Sequence, residues 1–154
     1  PNPPIMKKEV LYIPVLGICG YSAGALVVDR KDPQSRRKVF EESKKRLTSG
    51  LKTMMIYPEG TRQRNSDEPK DYALIKKPIL KFAFENNVPV HSVTVYGTKK
   101  VMPSNSIAVK FGKKLGIIVR KAKRPEDYED ADSFMRACWN DVTEGYKELH
   151  EKLT

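Results

Sequence analysis

Thr53-Met54-Met55-Ile56-Tyr57-Pro58-Glu59-Gly60-Thr61-Arg62 reads as a short buried strand that empties into a functional turn. The apolar run from Thr53 to Tyr57 is ended by Pro58, the pattern of a strand feeding a loop. Gly60 permits a tight turn, and Arg62 then arrives at the strand's C-terminal mouth, where ligands of open α/β sheets collect. A guanidinium at such a mouth suits a phosphate, because its fork donates two parallel charge-assisted hydrogen bonds. Thr61 and the turn amides add neutral donors. Glu59 either orients the arginine or accepts from a substrate hydroxyl. A surface turn with an incidental Glu–Arg pair is the other reading of these residues. The polar loop continues to about Tyr72, and a loop of that length inside a compact domain is often functional.

Upstream, Asp32-Pro33 predicts a helix start, an acid cap followed by proline at the first helical position, and Gly50 a stop. Val39, Phe40 and Leu47 give that helix a narrow apolar face. Before it, Gly24-Ala25-Leu26-Val27-Val28-Asp29-Arg30 is a second apolar strand ending in an arginine, so Arg30 and Arg62 together suit one dianion. The stretch Val10 to Val28 carries no charge over 19 residues, long enough to be considered as a membrane span. Pro14, Gly17, Gly20 and Gly24 interrupt it, which favours a buried or interfacial helix followed by a strand from Ala25 to Val28.

Downstream, Pro78 opens a helix whose core contacts are Ile79, Leu80, Phe82, Ala83 and Phe84. Val88 to Tyr96 is rich in β-branched residues, and Ile107 to Phe111 with Ile117 to Val119 predicts a hairpin across Gly112 to Gly116. Met135, Cys138, Trp139, Val142, Tyr146, Leu149 and Leu153 recur at helical spacing and predict a long amphipathic helix from Asp132 to Leu153, capped by the acids before it. Trp139 belongs to its core face. The expected fold is α/β, a central mixed sheet covered by helices, with residues 1–154 as one domain.

The chain has 29 Lys+Arg against 19 Asp+Glu, a formal charge of +10, which favours anionic partners. A basic domain binding anionic lipid or nucleic acid without catalysis is therefore one candidate. No zinc spacing, no aromatic RNA-binding strand and no helix with one basic face supports nucleic acid as the partner. His91 and His150, without nearby cysteines, give no metal site. Two cysteines are too few for a disulfide framework. Gly20-Tyr21-Ser22-Ala23-Gly24 fits the Gly-x-Ser-x-Gly elbow of hydrolases, which needs a strand before the serine and a sustained helix after it. After Gly24 there is room for a strand, but Asp32-Pro33 comes too soon for that helix.

Pro58-Glu59-Gly60-Thr61-Arg62, preceded by aromatic Tyr57, resembles the third conserved block of the glycerol-phosphate and lysophosphatidic-acid acyltransferases. Val27-Val28-Asp29-Arg30 resembles the second block, about thirty residues upstream as in that family. Lys77 to Val95 resembles the family's next helix and strand, with Asn87-Val88-Pro89-Val90 leading to the fourth block. In order and spacing the similarity runs from about Lys7 to Gly112.

The resemblance implies an acyltransferase-like fold and transfer of an acyl group from acyl-CoA to lysophosphatidic acid, giving phosphatidic acid in phospholipid biosynthesis. Glycerol 3-phosphate is the alternative acceptor. It also implies acyl-CoA as co-substrate with no bound cofactor or metal, and a membrane surface on the cytosolic face of the endoplasmic reticulum or another intracellular membrane. The implied acceptor-phosphate site is Arg30, Glu59, Gly60, Thr61 and Arg62. The family's first block is a histidine, four residues and an aspartate; the histidine is the general base and the aspartate orients it. Five residues after His91 stands Tyr96, and His150 lies too near the end, so this chain offers no catalytic pair. With its start at Pro1-Asn2-Pro3-Pro4, it is expected to be the C-terminal part of such an enzyme, inactive alone. Ser92 stands where the fourth block has its second proline, and Tyr57 replaces the commoner phenylalanine; both bear on acyl-donor preference.

Overall fold

The computed structural model describes residues 5–29, 31–49, 53–60, 68–101, 103 and 110–154. The chain divides into two compact units, Pro1–Tyr57 and Pro58–Thr154.

In the first unit, strand β1 (Ile5–Lys7) pairs in parallel with β2 (Leu26–Val28), Met6 opposite Val27. Parallel neighbours need a crossover, supplied here by a 3₁₀ turn (Lys8–Tyr12) and helix α1 (Pro14–Ser22). Gly17 is required where α1 folds back on that turn: a Cβ there would stand 2.1 Å from the Leu11 carbonyl oxygen. Helix α2 (Pro33–Thr48) begins as its sequence predicts, with the Asp32 carboxylate accepting from the Gln34 amide at 2.8 Å and Pro33 in the first turn. It packs on β2. Its deepest residue is Ser43, wholly buried, whose hydroxyl is satisfied by the Val39 carbonyl at 2.7 Å. The predicted apolar face of Val39, Phe40 and Leu47 is only half-buried. Among the described residues no helix is long and apolar enough to cross a membrane.

In the second unit, helix α3 (Pro78–Glu85) buries Leu80, Phe82 and Ala83. Asn87, at φ 53°, turns the chain out of it. Strand β3 (Val93–Tyr96) follows, then the short helix α4 (Thr98–Val101), strand β4 (Gly116–Val119) and the long helix α5 (Ala131–Leu153). The Asp130 carboxylate caps α5 by accepting from the Ser133 amide at 2.7 Å, and that bond holds its pKa below the ordinary value. α5 lies across β3 and β4, and α3 packs against α5. The core gathers Leu80, Phe82, Tyr96, Phe134, Met135, Cys138, Trp139 and Leu149; fully burying a side chain such as Phe134 is worth roughly 1.5–3 kcal/mol.

Buried hydroxyls stitch the strand to the helix. Ser92 Oγ donates to the Cys138 carbonyl at 2.8 Å and Thr94 Oγ1 to the Val142 carbonyl at 3.1 Å. Gly145 lets the two backbones approach, since a Cβ there would lie 2.7 Å from Thr94 Oγ1.

The α/β class holds, with departures in strand pairing. Among the described residues the strands form two two-stranded sheets, one parallel and one antiparallel, in place of one central sheet. Thr53 to Tyr57 forms no regular strand: Met55 makes a single bridge and Tyr57 is 71% exposed. An apolar run becomes a strand only where a neighbour pairs its amides. Lys110 and Phe111 of the expected hairpin across Gly112 to Gly116 form no strand, and the described partner of β4 is non-local. β4 runs antiparallel to β3, with Val93 opposite Val119 and Val95 opposite Ile117, and Phe111 is left 91% exposed. Residues 107–109 of the expected partner strand lie outside the described residues. Val88 to Val90 stays out of β3 except for a bridge between Val90 and Lys123, because Pro89 has no amide hydrogen to give a ladder.

Candidate functional site

The turn that opens the second unit is held from two sides. Gly60 sits at φ +75°, a left-handed conformation that favours glycine. Its open side is filled by the Lys76 side chain, whose Cε and Nζ lie 2.6 and 2.9 Å from where a Cβ would stand. Lys76 also donates its amide to the Pro58 carbonyl at 2.8 Å. Glycine is thus demanded by conformation, whereas the tip of the flexible Lys76 side chain could move aside from a Cβ.

From the other side comes Lys70. Its amide donates to Glu59 Oε1 at 3.2 Å and its ammonium to the Glu59 carbonyl at 2.8 Å. The Lys70 carbonyl in turn accepts from Nε1 of Trp139, which is buried in α5. Two residues on, the Tyr72 hydroxyl donates to Asp132 Oδ1 at 2.6 Å, at the first turn of α5. Burial and then that bond push the Tyr72 pKa up to about 12. The same bond, then that of Arg136, holds the Asp132 carboxyl below its usual range. Lys77 Nζ stands 3.9 Å from the centre of the Tyr72 ring and the Arg136 guanidinium 4.4 Å, so two cations share one aromatic ring.

Of the five residues expected to hold a phosphate, Glu59 and Gly60 are brought together at this turn. Arg30, Thr61 and Arg62 lie outside the described residues. Beside Arg30, the Asp29 amide donates to Ser35 Oγ at 3.0 Å, and its carboxylate accepts from the Lys31 amide and faces Lys8. Lys70 and Lys76 are the residues that sequence reasoning missed. The pair Lys76-Lys77 was legible as a basic cluster directly before Pro78, whereas nothing local marks Lys70.

The rival chemistries lose their geometry. Ser22 is the last residue of α1, so a helix precedes it and β2 follows, the reverse of a nucleophile elbow. His91 Nδ1 lies 3.2 Å from the Arg120 carbonyl, and His150 Nδ1 lies 3.0 Å from the Tyr96 hydroxyl with its ring stacked on Tyr146. Burial pushes the Cys138 thiol up to about 11, which leaves little thiolate at neutral pH. Among the described residues no group of three or more His, Cys, Asp or Glu stands together to hold a metal ion.

The profile of the family described as Acyltransferase matches residues 2–96, more than half of the chain. The chain belongs to the acyltransferase family. This acyltransferase chain is 38% identical over 96 residues to the lysophospholipid acyltransferase LPCAT4 of Homo sapiens, a match covering 59% of this chain and 16% of that protein. It is 27% identical over 117 residues to the chloroplastic 1-acyl-sn-glycerol-3-phosphate acyltransferase BAT2 of Brassica napus, covering 76% of this chain and 33% of that one. The chain therefore spans a third or less of these relatives' length. Its fold is that of the 1-acyl-sn-glycerophosphate acyltransferase PlsC from Thermotoga maritima. The TM-score is 0.79 at 21% identity, over 97% of this chain and 57% of that one. The Glu59-Gly60 turn lies inside the family-matched segment.

Proposed function

We propose that this chain supplies the acceptor-phosphate site of an enzyme that transfers an acyl group from acyl-CoA to lysophosphatidic acid. The acceptor hydroxyl oxygen forms the new ester bond to the acyl carbon, the carbon–sulfur bond breaks, and coenzyme A leaves as thiolate. The proton taken from the hydroxyl by a histidine base returns to that sulfur, and phosphatidic acid is released. A His-x4-Asp block outside this chain would provide the base. Arg30 and Arg62 would clamp the phosphate, with Glu59, Gly60 and Thr61 shaping the pocket. The reading assigns acyl-CoA as co-substrate and calls for no resident metal or bound cofactor.

One observation carries it. In a chain of the acyltransferase family, the turn of the third block is fixed at Gly60, with the Lys76 ammonium lying over it. A fixed turn rimmed by cations is suited to a dianion. The names of the relatives, a lysophospholipid and two lysophosphatidic-acid-type acyltransferases, support an acceptor of this class.

The reading also seats the enzyme on the cytosolic face of an intracellular membrane such as the endoplasmic reticulum. Tyr12, Val15, Ile18 and Tyr21 are 69–80% exposed along the 3₁₀ turn and α1, with Lys7 and Lys8 just before them, the composition of an interfacial segment.

Titration with short-chain, monomeric lysophosphatidic acid tests the site, with the matching phosphate-free monoacylglycerol as control. Arg62→Ala should weaken lysophosphatidic-acid binding by about one to two decades, and Arg62→Lys should restore it only in part. Equal affinity for the two ligands, or an Arg62→Ala chain that binds like the parent, would rule the site out.

A further inference from the structure

Three contacts converge on Lys70, and they join parts of the chain that the sequence keeps far apart. Its amide and its ammonium grip the side chain and the main chain of Glu59, and its carbonyl is taken by Trp139. The strap from Lys70 to Tyr72 is fastened again at the Tyr72–Asp132 bond. Both anchors stand on α5, Asp132 in its first turn and Trp139 two turns further along.

The charge arrangement gives this grip a purpose. Glu59 is the one acid of the phosphate-holding turn, and a carboxylate beside an incoming phosphate repels it. The Lys70 amide holds one oxygen of that carboxylate, and the Lys70 ammonium, bonded to the main-chain carbonyl of the same residue, brings a positive charge to the turn. A residue that only filled space would need neither. Trp139 is only 4% exposed, so its indole is locked by the helix core, and the Lys70 carbonyl cannot slide without losing its donor.

We propose that Lys70 is a positioning residue for the acceptor site: it fixes Glu59 by side chain and main chain and brings a positive charge to the turn, and Trp139 on α5 sets where Lys70 stands. This rests on the acceptor-site reading of the turn through Glu59 and Gly60. The role is distinct from phosphate ligation, because Lys70 acts through Glu59.

The test uses four variants of the chain and two readouts. Lys70→Met removes the ammonium but keeps the amide, and Lys70→Arg keeps a cation. Trp139→Phe removes the indole donor but keeps an aromatic ring. Lys147→Met, an exposed lysine of α5, removes the same charge elsewhere. The first readout is calorimetric binding of hexanoyl lysophosphatidic acid. Lys70→Met should weaken it about tenfold, Lys70→Arg should recover it to within about threefold, and Lys147→Met should match the parent. The second readout is amide hydrogen exchange at position 70. Trp139→Phe should accelerate it about tenfold while the amides around Cys138 keep their protection.

Binding by Lys70→Met equal to the parent, with Arg62→Ala still defective, overturns the positioning role and leaves the acceptor site standing. Loss of binding in Lys147→Met as large as in Lys70→Met also overturns it, since net charge alone would then explain the effect. Unchanged exchange at position 70 in Trp139→Phe removes Trp139 from the device. A parent chain that ignores the probe, or an Arg62→Ala chain that binds it normally, defeats the acceptor-site reading, and the role of Lys70 falls with it.

Discussion

The Trp139 indole donates to the Lys70 carbonyl at 2.9 Å across 69 residues of sequence. Helix α5 thereby holds Lys70, which grips Glu59 in the turn. Trp139 serves as core and as hydrogen-bond donor at once, and the two parts separate by substitution. Trp139→Ala should destabilise the second unit by roughly 3–5 kcal/mol, from the cavity and the lost transfer energy. Trp139→Phe should cost less, with about 0.5–1.5 kcal/mol of its loss traceable to the hydrogen bond. Urea unfolding followed by circular dichroism checks both; equal losses would mean that the ring kept in Trp139→Phe adds nothing and would assign the whole effect to the indole hydrogen bond.

Acyl transfer should be absent from the 154-residue chain by itself. No histidine in it is followed five residues later by aspartate, and both of its histidines are engaged in contacts within the second unit. The measurement is label transfer from radioactive acyl-CoA to lysophosphatidic acid, against a heat-killed control. Turnover above that control would require a base that this sequence does not reveal.

The Tyr72–Asp132 bond should leave its mark at both ends of the pH scale. Asp132 is held below its ordinary pKa in the folded chain, first by the Tyr72 bond and then by Arg136. A depressed carboxyl adds stability that is fully present above the unfolded value of about 4 and is lost as pH falls through the folded one. Tyr72 is raised from 10.0 to about 12, so its contribution is present below pH 10 and lost between there and about 12. In a phenolate absorbance titration one tyrosine should ionise last. Asp132→Ala should bring that step back toward the others and flatten the acid loss of stability below about pH 4.

Gly145→Ala sets two effects against each other. Alanine gains about 1 kcal/mol of helix propensity over glycine in a helix interior. At this site its Cβ would stand 2.7 Å from Thr94 Oγ1, and overpacking of that kind costs about 1–3 kcal/mol. The steric term should win, so the melting temperature should fall. Thr94→Ala in the same chain should return part of the loss, giving a measurable coupling in a double-mutant cycle.

Local chemistry made the helices legible. Asp32-Pro33 and Asp130 mark their own helix starts, and the stripe from Met135 to Leu153 predicts the buried face of α5. Pairing was less legible because it depends on distant partners. Val119 meets Val93, 26 positions earlier in the chain, although the glycines at 112 and 116 suggested a nearer neighbour. The acyltransferase family, and within the candidate site Glu59 and Gly60, were legible from the third block. Lys70 was not, since a lysine in a polar loop has no signature of its own and takes its meaning from an indole on another element.

The two thiols differ in a way that gives the experimenter a handle. Cys138 is buried with its pKa pushed up to about 11, and Cys19 stands exposed on α1. A maleimide at neutral pH should therefore react at one address without any cysteine being engineered in or out. A nitroxide placed there would sit between the exposed Ile18 and Tyr21. Its relative collision rates with oxygen, which concentrates in lipid, and with a water-soluble nickel chelate would show in a single spectrum whether α1 lies in a bilayer interface or in water.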